Sequence, residues 1–219
     1  MSIDPSAVKE LIQDNSKFVI VSHQSPDGDA IGSSMGLHQI LSNLNKTVSI
    51  ILPDRPSSVL EPFLEGSDFY FYHENPSDCE TLLQNAEVLF ALDFNTSSRV
   101  GELLKPSLDS FNGKKVMIDH HQKPDIYAEF TYSDTDFGST CEMVYNFIEF
   151  LEQTSLIDKT IGTCLYTGIL TDSGSFRYPK TTGRTHRIVA ELIDLGVENT
   201  NIPNLLFDNN SYNRLQLLG

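Results

Sequence analysis

The feature that most constrains this chain is a series of short apolar segments spaced along its first 134 residues. Residues 17–22 (KFVIVS), 47–52 (TVSIIL), 68–72 (DFYFY), 87–92 (EVLFAL) and 114–118 (KKVMI) are each rich in Val, Ile, Phe or Tyr and read as strands. Helical patterns at 30–44, 77–85 and 97–110 separate most of them, and a helix over 4–14 precedes them, opened by Asp4-Pro5 as cap and first position. Near-continuous apolar strands alternating with helices predict an α/β fold with a mainly parallel, doubly wound sheet covered on both faces. Residues 127–132 offer one more strand. Beyond residue 134 the pattern turns helical, at 139–153, 158–171, 182–195 and 203–218. The expected organisation is one domain with a parallel α/β part (1–134) and a mainly helical part (135–219). The final RLQLLG is an apolar helical pattern with no stop signal.

At 219 residues and 39% hydrophobic, the chain can bury a sizeable core as one large domain. No stretch approaches the roughly 18 consecutive apolar residues of a membrane span, and the N-terminal residues lack the basic start and apolar centre of a signal peptide. A cytoplasmic protein with no membrane partner is expected. Cys79, Cys141 and Cys164 are far apart and in no metal-type spacing, so they are expected to pack as small apolar side chains in a reducing compartment. The formal charge of −15 argues against binding duplex DNA, which works by neutralising phosphates with Lys and Arg. A short anion can still bind where metal ions reverse the local sign.

Parallel sheets bind ligands beyond the carboxyl ends of their strands, where neighbouring loops converge. Three polar clusters occupy that position: His23, Asp27 and Asp29 after the first strand, Asp93 after EVLFAL, and Asp119-His120-His121 after KKVMI. Asp172 can join them if the apolar helical run 161–170 points its C-terminal end inward. Several aspartates held this close repel one another unless cations keep them ionised. Carboxylates with neutral imidazoles and no thiolate suit Mn2+ or a similar first-row ion better than structural zinc, with Mg2+ less favoured by histidine. Each piece also has an ordinary reading: Asp93 as a cap or turn residue, Asp27-Gly28 as a turn, His120-His121 as a satisfied polar pair. Independent turns, however, have no reason to collect His and Asp at one sheet edge.

HQSPDGDAIGS (23–33), LDFN (92–95), IDHH (118–121) and GILTDSGSFRY (168–178) resemble, in order and separation, the four motifs of the DHH phosphoesterases. DFGSTCEMVY (136–145) and FRYPKTTGRTHRIVAELIDLG (176–196) are most similar to the branch of nanoRNases and 3′-phosphoadenosine-5′-phosphate (pAp) phosphatases, with cyclic dinucleotide phosphodiesterases nearby. The resemblance implies two metal ions, taken as Mn2+. His23 and Asp27 would bind one, Asp29, His120 and Asp172 the other, and Asp93 both. Asp119 would orient a neighbouring imidazole, and His121, with Arg177 as helper, would hold the phosphoryl oxygens or protonate the leaving group. A metal-activated water would then attack phosphorus.

Gly28 and Gly32 are expected to allow a tight turn and close backbone approach, with a helix from about Ala30 directing free N–H groups toward an anion. Ser33 and Thr140 are expected to act as helix caps, with contact to phosphate as the alternative. Members of this branch usually carry a C-terminal DHHA1 domain with a GGGH motif, which does not occur here, so an isolated catalytic half or a truncated chain is expected. The expected substrates are short RNA oligonucleotides, pAp or linear and cyclic dinucleotides. Polyphosphate or pyrophosphate hydrolysis and a nucleotide-binding module without turnover are the alternatives, and a homodimer is left open.

Overall fold

The computed structural model describes residues 4–64, 68–125 and 127–208. Helix α1 (Pro5–Asp14) leads into β1 (Lys17–Val21), followed by α2 (Gly28–Asn43), β2 (Thr47–Leu52), β3 (Phe69–Phe71), α3 (Pro76–Asn85), β4 (Val88–Leu92), α4 (Gly101–Asp109), β5 (Lys114–Asp119) and β6 (Phe130–Ser133). Then come α5 (Thr140–Phe150), α6 (Lys159–Asp172), α7 (Gly183–Asp194) and a short helical segment, α8 (Asn201–Pro203), running into Asn204–Asp208. The six strands lie in the order β3-β2-β1-β4-β5-β6, and every pairing is parallel. The expected α/β fold with a helical second part is the one observed.

Alternation between the two sheet faces persists although most strand residues are buried. Phe18 and Ile20 of β1 and Val88, Phe90 and Leu92 of β4 join the core built with α2, α5, α6 and α7. Val19, Val21, Leu89 and Ala91 meet α3 and α4 on the other face. The strand order reverses between β1 and β4, so the chain leaves these neighbours toward opposite faces. That divergence opens a crevice at their carboxyl ends.

Several local expectations need correction. The helix expected over 97–110 is interrupted at Gly101, whose φ of 80° separates a 3-10 turn (Ser97–Val100) from α4. Helix α2 begins at Gly28 rather than near Ala30, and its glycines serve packing instead of a turn. A Cβ on Gly32 would stand 2.4 Å from the Cys164 carbonyl oxygen, and one on Gly168 only 2.2 Å from Cys141 Sγ. These positions let α2, α5 and α6 approach more closely than any side chain would allow. The left-handed residue of the preceding turn is Ser25, at φ 55°. Residues 209–218 of the expected last helix lie outside the described residues.

All three cysteines are free and buried. Burial pushes the Cys79 thiol up to about 11 and that of Cys164 to about 12, which keeps them neutral and inert. Among the described residues no helix is long and apolar enough to cross a membrane.

Candidate metal centre

The loop after β1 is pinned where Ser22 Oγ donates to the Leu92 carbonyl at 2.8 Å, tying β1 to the end of β4. His23 follows, with Nδ1 2.8 Å from the Gln24 carbonyl. A proton on Nδ1 satisfies that carbonyl and leaves the Nε2 lone pair facing inward. Asp27 is the N-cap of α2, its Oδ1 accepting from the amides of Asp29 and Ala30 at 3.0 Å each. The ordinary reading of Asp27-Gly28 as a turn gives way to a helix cap, and these two amides are not free for an anion. Its Oδ2 remains, 4.0 Å from His23 Nε2.

Asp93 ends β4 with φ 65°, a left-handed conformation that costs a non-glycine residue roughly 1–2 kcal/mol and is visited most readily by Asp and Asn. Its amide extends the ladder by donating to the Ile118 carbonyl at 3.1 Å. The carboxylate is almost fully buried and faces two ways, Oδ2 lying 3.3 Å from His23 Nε2 and Oδ1 3.6 Å from His120 Nε2. Strain of this kind tends to collect where function over-determines the backbone.

From β5, Asp119 turns both oxygens to His121, accepting from its backbone amide at 2.8 Å and pairing with Nδ1 at 2.7 Å. The imidazole expected to be oriented by Asp119 is therefore that of His121. His120 points the other way, with Nδ1 3.4 Å from the Phe137 carbonyl and Nε2 3.2 Å from Asp172 Oδ2 and 3.9 Å from Asp29 Oδ2. Asp172 is the last residue of α6, so the helix does aim its C-terminal end into the crevice. A carboxylate there meets the negative end of the helix dipole, a placement that favours a cation alongside.

Asp29 is fully buried, its oxygens accepting from the first amides of α5: Thr140 at 2.6 Å and Cys141 at 2.8 Å. The Thr140 hydroxyl also donates to Asp93 Oδ1 at 2.9 Å. Thr140 thus tethers two carboxylates and is not a cap. The N-cap of α5 is Ser139, accepting from the Glu142 amide, and the spacing of Ser139 to Glu142 is a capping signature that could have identified it. Ser33 is not a cap either, because it lies inside α2 with Oγ donating to the Asp29 carbonyl at 2.6 Å. Asn95, also missed, donates Nδ2 to the Gln122 carbonyl and accepts from the Asp125 amide, both at 2.8 Å, which ties the loop after β5 to that after β4. Arg177 is exposed, its Nε donating to the Gly174 carbonyl at 2.7 Å.

The electrostatics follow from crowding. Burial, then the charges of Asp93 and Asp172, push the Asp29 carboxyl well above the usual carboxylate range. Burial also raises that of Asp93, against the opposing pull of His23. Burial opposes charging His120, yet the Asp172 carboxylate beside it and the charges of Asp29 and Asp93 outweigh it and hold its pKa at about 9. His23 is raised in the same way, Asp93 overcoming burial.

The residues fit divalent ions. His23 Nε2 and His120 Nε2 are buried and lack a hydrogen-bond partner, although carboxylate oxygens stand near both. Among the described residues, three groups bring their ligand atoms within 4.8 Å of one another: His23, Asp27 and Asp93; Asp29, His120 and Asp172; and Asp93, His120 and His121. The third competes poorly because His121 Nδ1, the atom nearest Asp93, is already engaged by Asp119. The first two share an architecture in which an imidazole with a carbonyl on Nδ1 turns Nε2 toward Asp93. A hydrogen bond on the distal nitrogen is the usual support of a metal-binding histidine.

The chain is 35% identical over 181 residues to the bifunctional oligoribonuclease and PAP phosphatase NrnA of Thermus thermophilus, a match covering 82% of this chain and 50% of that protein. It is 29% identical over 193 residues to the protein of the same name from Bacillus subtilis, covering 87% and 57%. The solved structure of an exopolyphosphatase-related protein from Bacteroides fragilis superposes with a TM-score of 0.95 at 33% identity, over 98% of this chain and 63% of that one. The chain thus spans about half the length of the curated relatives it matches. The profile of the DHH family, N-terminal domain, matches residues 17–169, from the start of β1 into the end of α6, and the chain accordingly belongs to the DHH family.

Proposed function

We propose that this chain is the catalytic part of a two-metal, Mn2+-dependent phosphoesterase that hydrolyses short oligoribonucleotides, pAp or both. The observation that carries the reading is Asp93, which presents one oxygen to His23 at 3.3 Å and the other to His120 at 3.6 Å. His23 and Asp27 would hold one ion, Asp29, His120 and Asp172 the other, and Asp93 would touch both. Ions held there would supply the charge that lowers the pKa of a nearby water and neutralises the phosphoryl oxygens.

The remaining work falls to the chain's own groups. Asp119 holds the Nδ1 side of His121, which leaves Nε2 of this half-exposed ring available to the substrate. From there His121 can bind a phosphoryl oxygen or hand a proton to the departing ribose oxygen. Thr140 keeps the Asp93 carboxylate from rotating, so that each oxygen stays with its own histidine. Arg177, engaged with Gly174, has the weaker claim to a catalytic role. The oligoribonuclease and PAP phosphatase names of the Thermus and Bacillus relatives support this substrate class, and the exopolyphosphatase-related name of the Bacteroides protein supplies the rival.

The deciding assay follows product release from pApA, pAp, cyclic di-AMP and pyrophosphate in Mn2+, for this chain and for a C-terminally extended one. Turnover of pApA or pAp is expected. Hydrolysis confined to pyrophosphate would replace the reading with the polyphosphate one, and stoichiometric nucleotide binding without product from either chain would replace it with a binding module.

A further inference from the structure

Next to Asp172 and His120 lies a cavity of about 420 Å³ whose wall continues through Tyr178, Lys180 and Thr181. Left-handed backbone at Gly174, Ser175 and Phe176 turns the chain back after α6. Hydrogen bonds at 3.0 Å from the Tyr178 amide to the Ser173 carbonyl and from the Thr181 amide to the Tyr178 carbonyl then hold this segment beside the metal ligands. Tyr178 is 59% exposed, unusual for a large aromatic residue with packing available nearby. Its ring lies against Gly174, where a Cβ would stand 2.6 to 2.9 Å from Cζ, Cε1 and Cε2. Gly174 therefore serves as a backing for the ring. Thr181 supplies a second, independent observation: its Oγ1 is buried and has no hydrogen-bond partner.

We propose that this cavity is a nucleoside subsite, with Tyr178 stacking on the base attached to the scissile phosphate and Thr181 Oγ1 hydrogen bonding to a polar atom of the same nucleoside. The proposal rests on the phosphoesterase reading above. The volume falls in the range of small-molecule pockets, and an exposed ring face is what a base requires, because every base offers a π-face to stack. A bare phosphate chain gains nothing from an aromatic face. Lys180 adds positive charge to the wall, of use to an anionic substrate in a chain of net charge −15.

Calorimetric titration of this chain with AMP and with ribose 5-phosphate in Mn2+ tests the subsite. AMP is expected to bind more tightly than ribose 5-phosphate. Tyr178→Ala should erase that preference, a loss on the order of tenfold for AMP alone, while Tyr178→Phe retains it. Thr181→Val should weaken AMP several-fold at unchanged melting temperature. An AMP preference that survives intact in folded Tyr178→Ala overturns the proposal. The two readings fail separately: base-dependent AMP binding without turnover of pApA or pAp removes the phosphoesterase reading and leaves the subsite, whereas turnover with base-independent AMP binding removes only the subsite.

Discussion

The two halves of the candidate metal centre are built in different ways. His23 and Asp27 come from one loop, four residues apart, and Asp27 doubles as a helix cap, so this half is assembled by local chain geometry and stays open, with the Asp27 side chain 54% exposed. Asp29, His120 and Asp172 come from α2, the loop after β5 and the end of α6, and meet only because three helices pack without intervening side chains. The local half tolerates solvent; the assembled half pays in buried like charge. Asp93 belongs to both, and the contrast predicts which changes disable one half and which disable the pair.

The largest effect is expected for Asp93→Ala, which removes the shared carboxylate. Turnover of pApA should fall by about 10³-fold or more, and metal analysis should show loss of both ions. Retention of two ions at near-normal rate would sink the two-metal reading.

Gly168→Ala should separate the halves. The new Cβ would meet Cys141 Sγ at 2.2 Å and Asp29 Oδ1 at 2.7 Å, so overpacking of roughly 1–3 kcal/mol is expected in a denaturation curve. One ion, held by His23, Asp27 and Asp93, should remain. Loss of both would mean that the halves are not independent.

Thr140→Val keeps shape and removes the hydroxyl that fixes Asp93. Metal affinity should drop by about 10–100-fold, measured by titration, with Thr140→Ser restoring most of it. An equal loss in the Ser variant would assign Thr140 to packing alone.

Proton competition should sharpen the comparison further. Asp29 and His120 have raised pKa values, the latter about 9, so protons must leave the assembled half as an ion enters, and affinity there should climb from pH 6 to 8. In metal-free protein both shifts act in one direction. Their stabilisation is complete at low pH and is lost as pH rises through the folded pKa of each group, well above the usual carboxylate range for Asp29 and about 9 for His120. Melting temperatures in chelator should therefore fall with rising pH across this range, and divalent metal should offset the fall. A flat profile in chelator would contradict the crowding argument.

The smallest effect is expected for Arg177→Ala, whose side chain is exposed and engaged only with Gly174 among its described hydrogen bonds. Catalytic efficiency should change by no more than about twofold, the usual range for a surface substitution. A loss of a hundredfold would return Arg177 to the reaction.

The parallel sheet was legible because buried strands carry an unmistakable apolar signature, and the ligand candidates were legible because they sit where strands end. His23, Asp93 and the Asp119-His120-His121 cluster needed only that rule. Asp172 did not follow from it, since the direction of a helix is set by packing and not by its own sequence. The double role of Thr140 was hidden for the same reason. Its partners are 111 and 47 positions away in the chain, and a threonine at a helix start reads as a cap. The close backbone approach expected of Gly28 and Gly32 is present, whereas the tight turn is not, because both lie inside α2 and the partner that leaves no room for a side chain is a distant helix.

By itself, then, the sequence determined the α/β class, the strand ends as the place of the site, and the His/Asp chemistry available there, all of which follow from local apolarity and residue type. The family resemblance implied how those groups divide, and only the tertiary structure brings them within reach of one another. Close packing of α2, α5 and α6 carries Asp29 and Asp172 to His120, and the left-handed turn at Asp93 aims one carboxylate at two histidines. Those are contacts between distant parts of the chain, and their geometry is set by packing that no local pattern encodes.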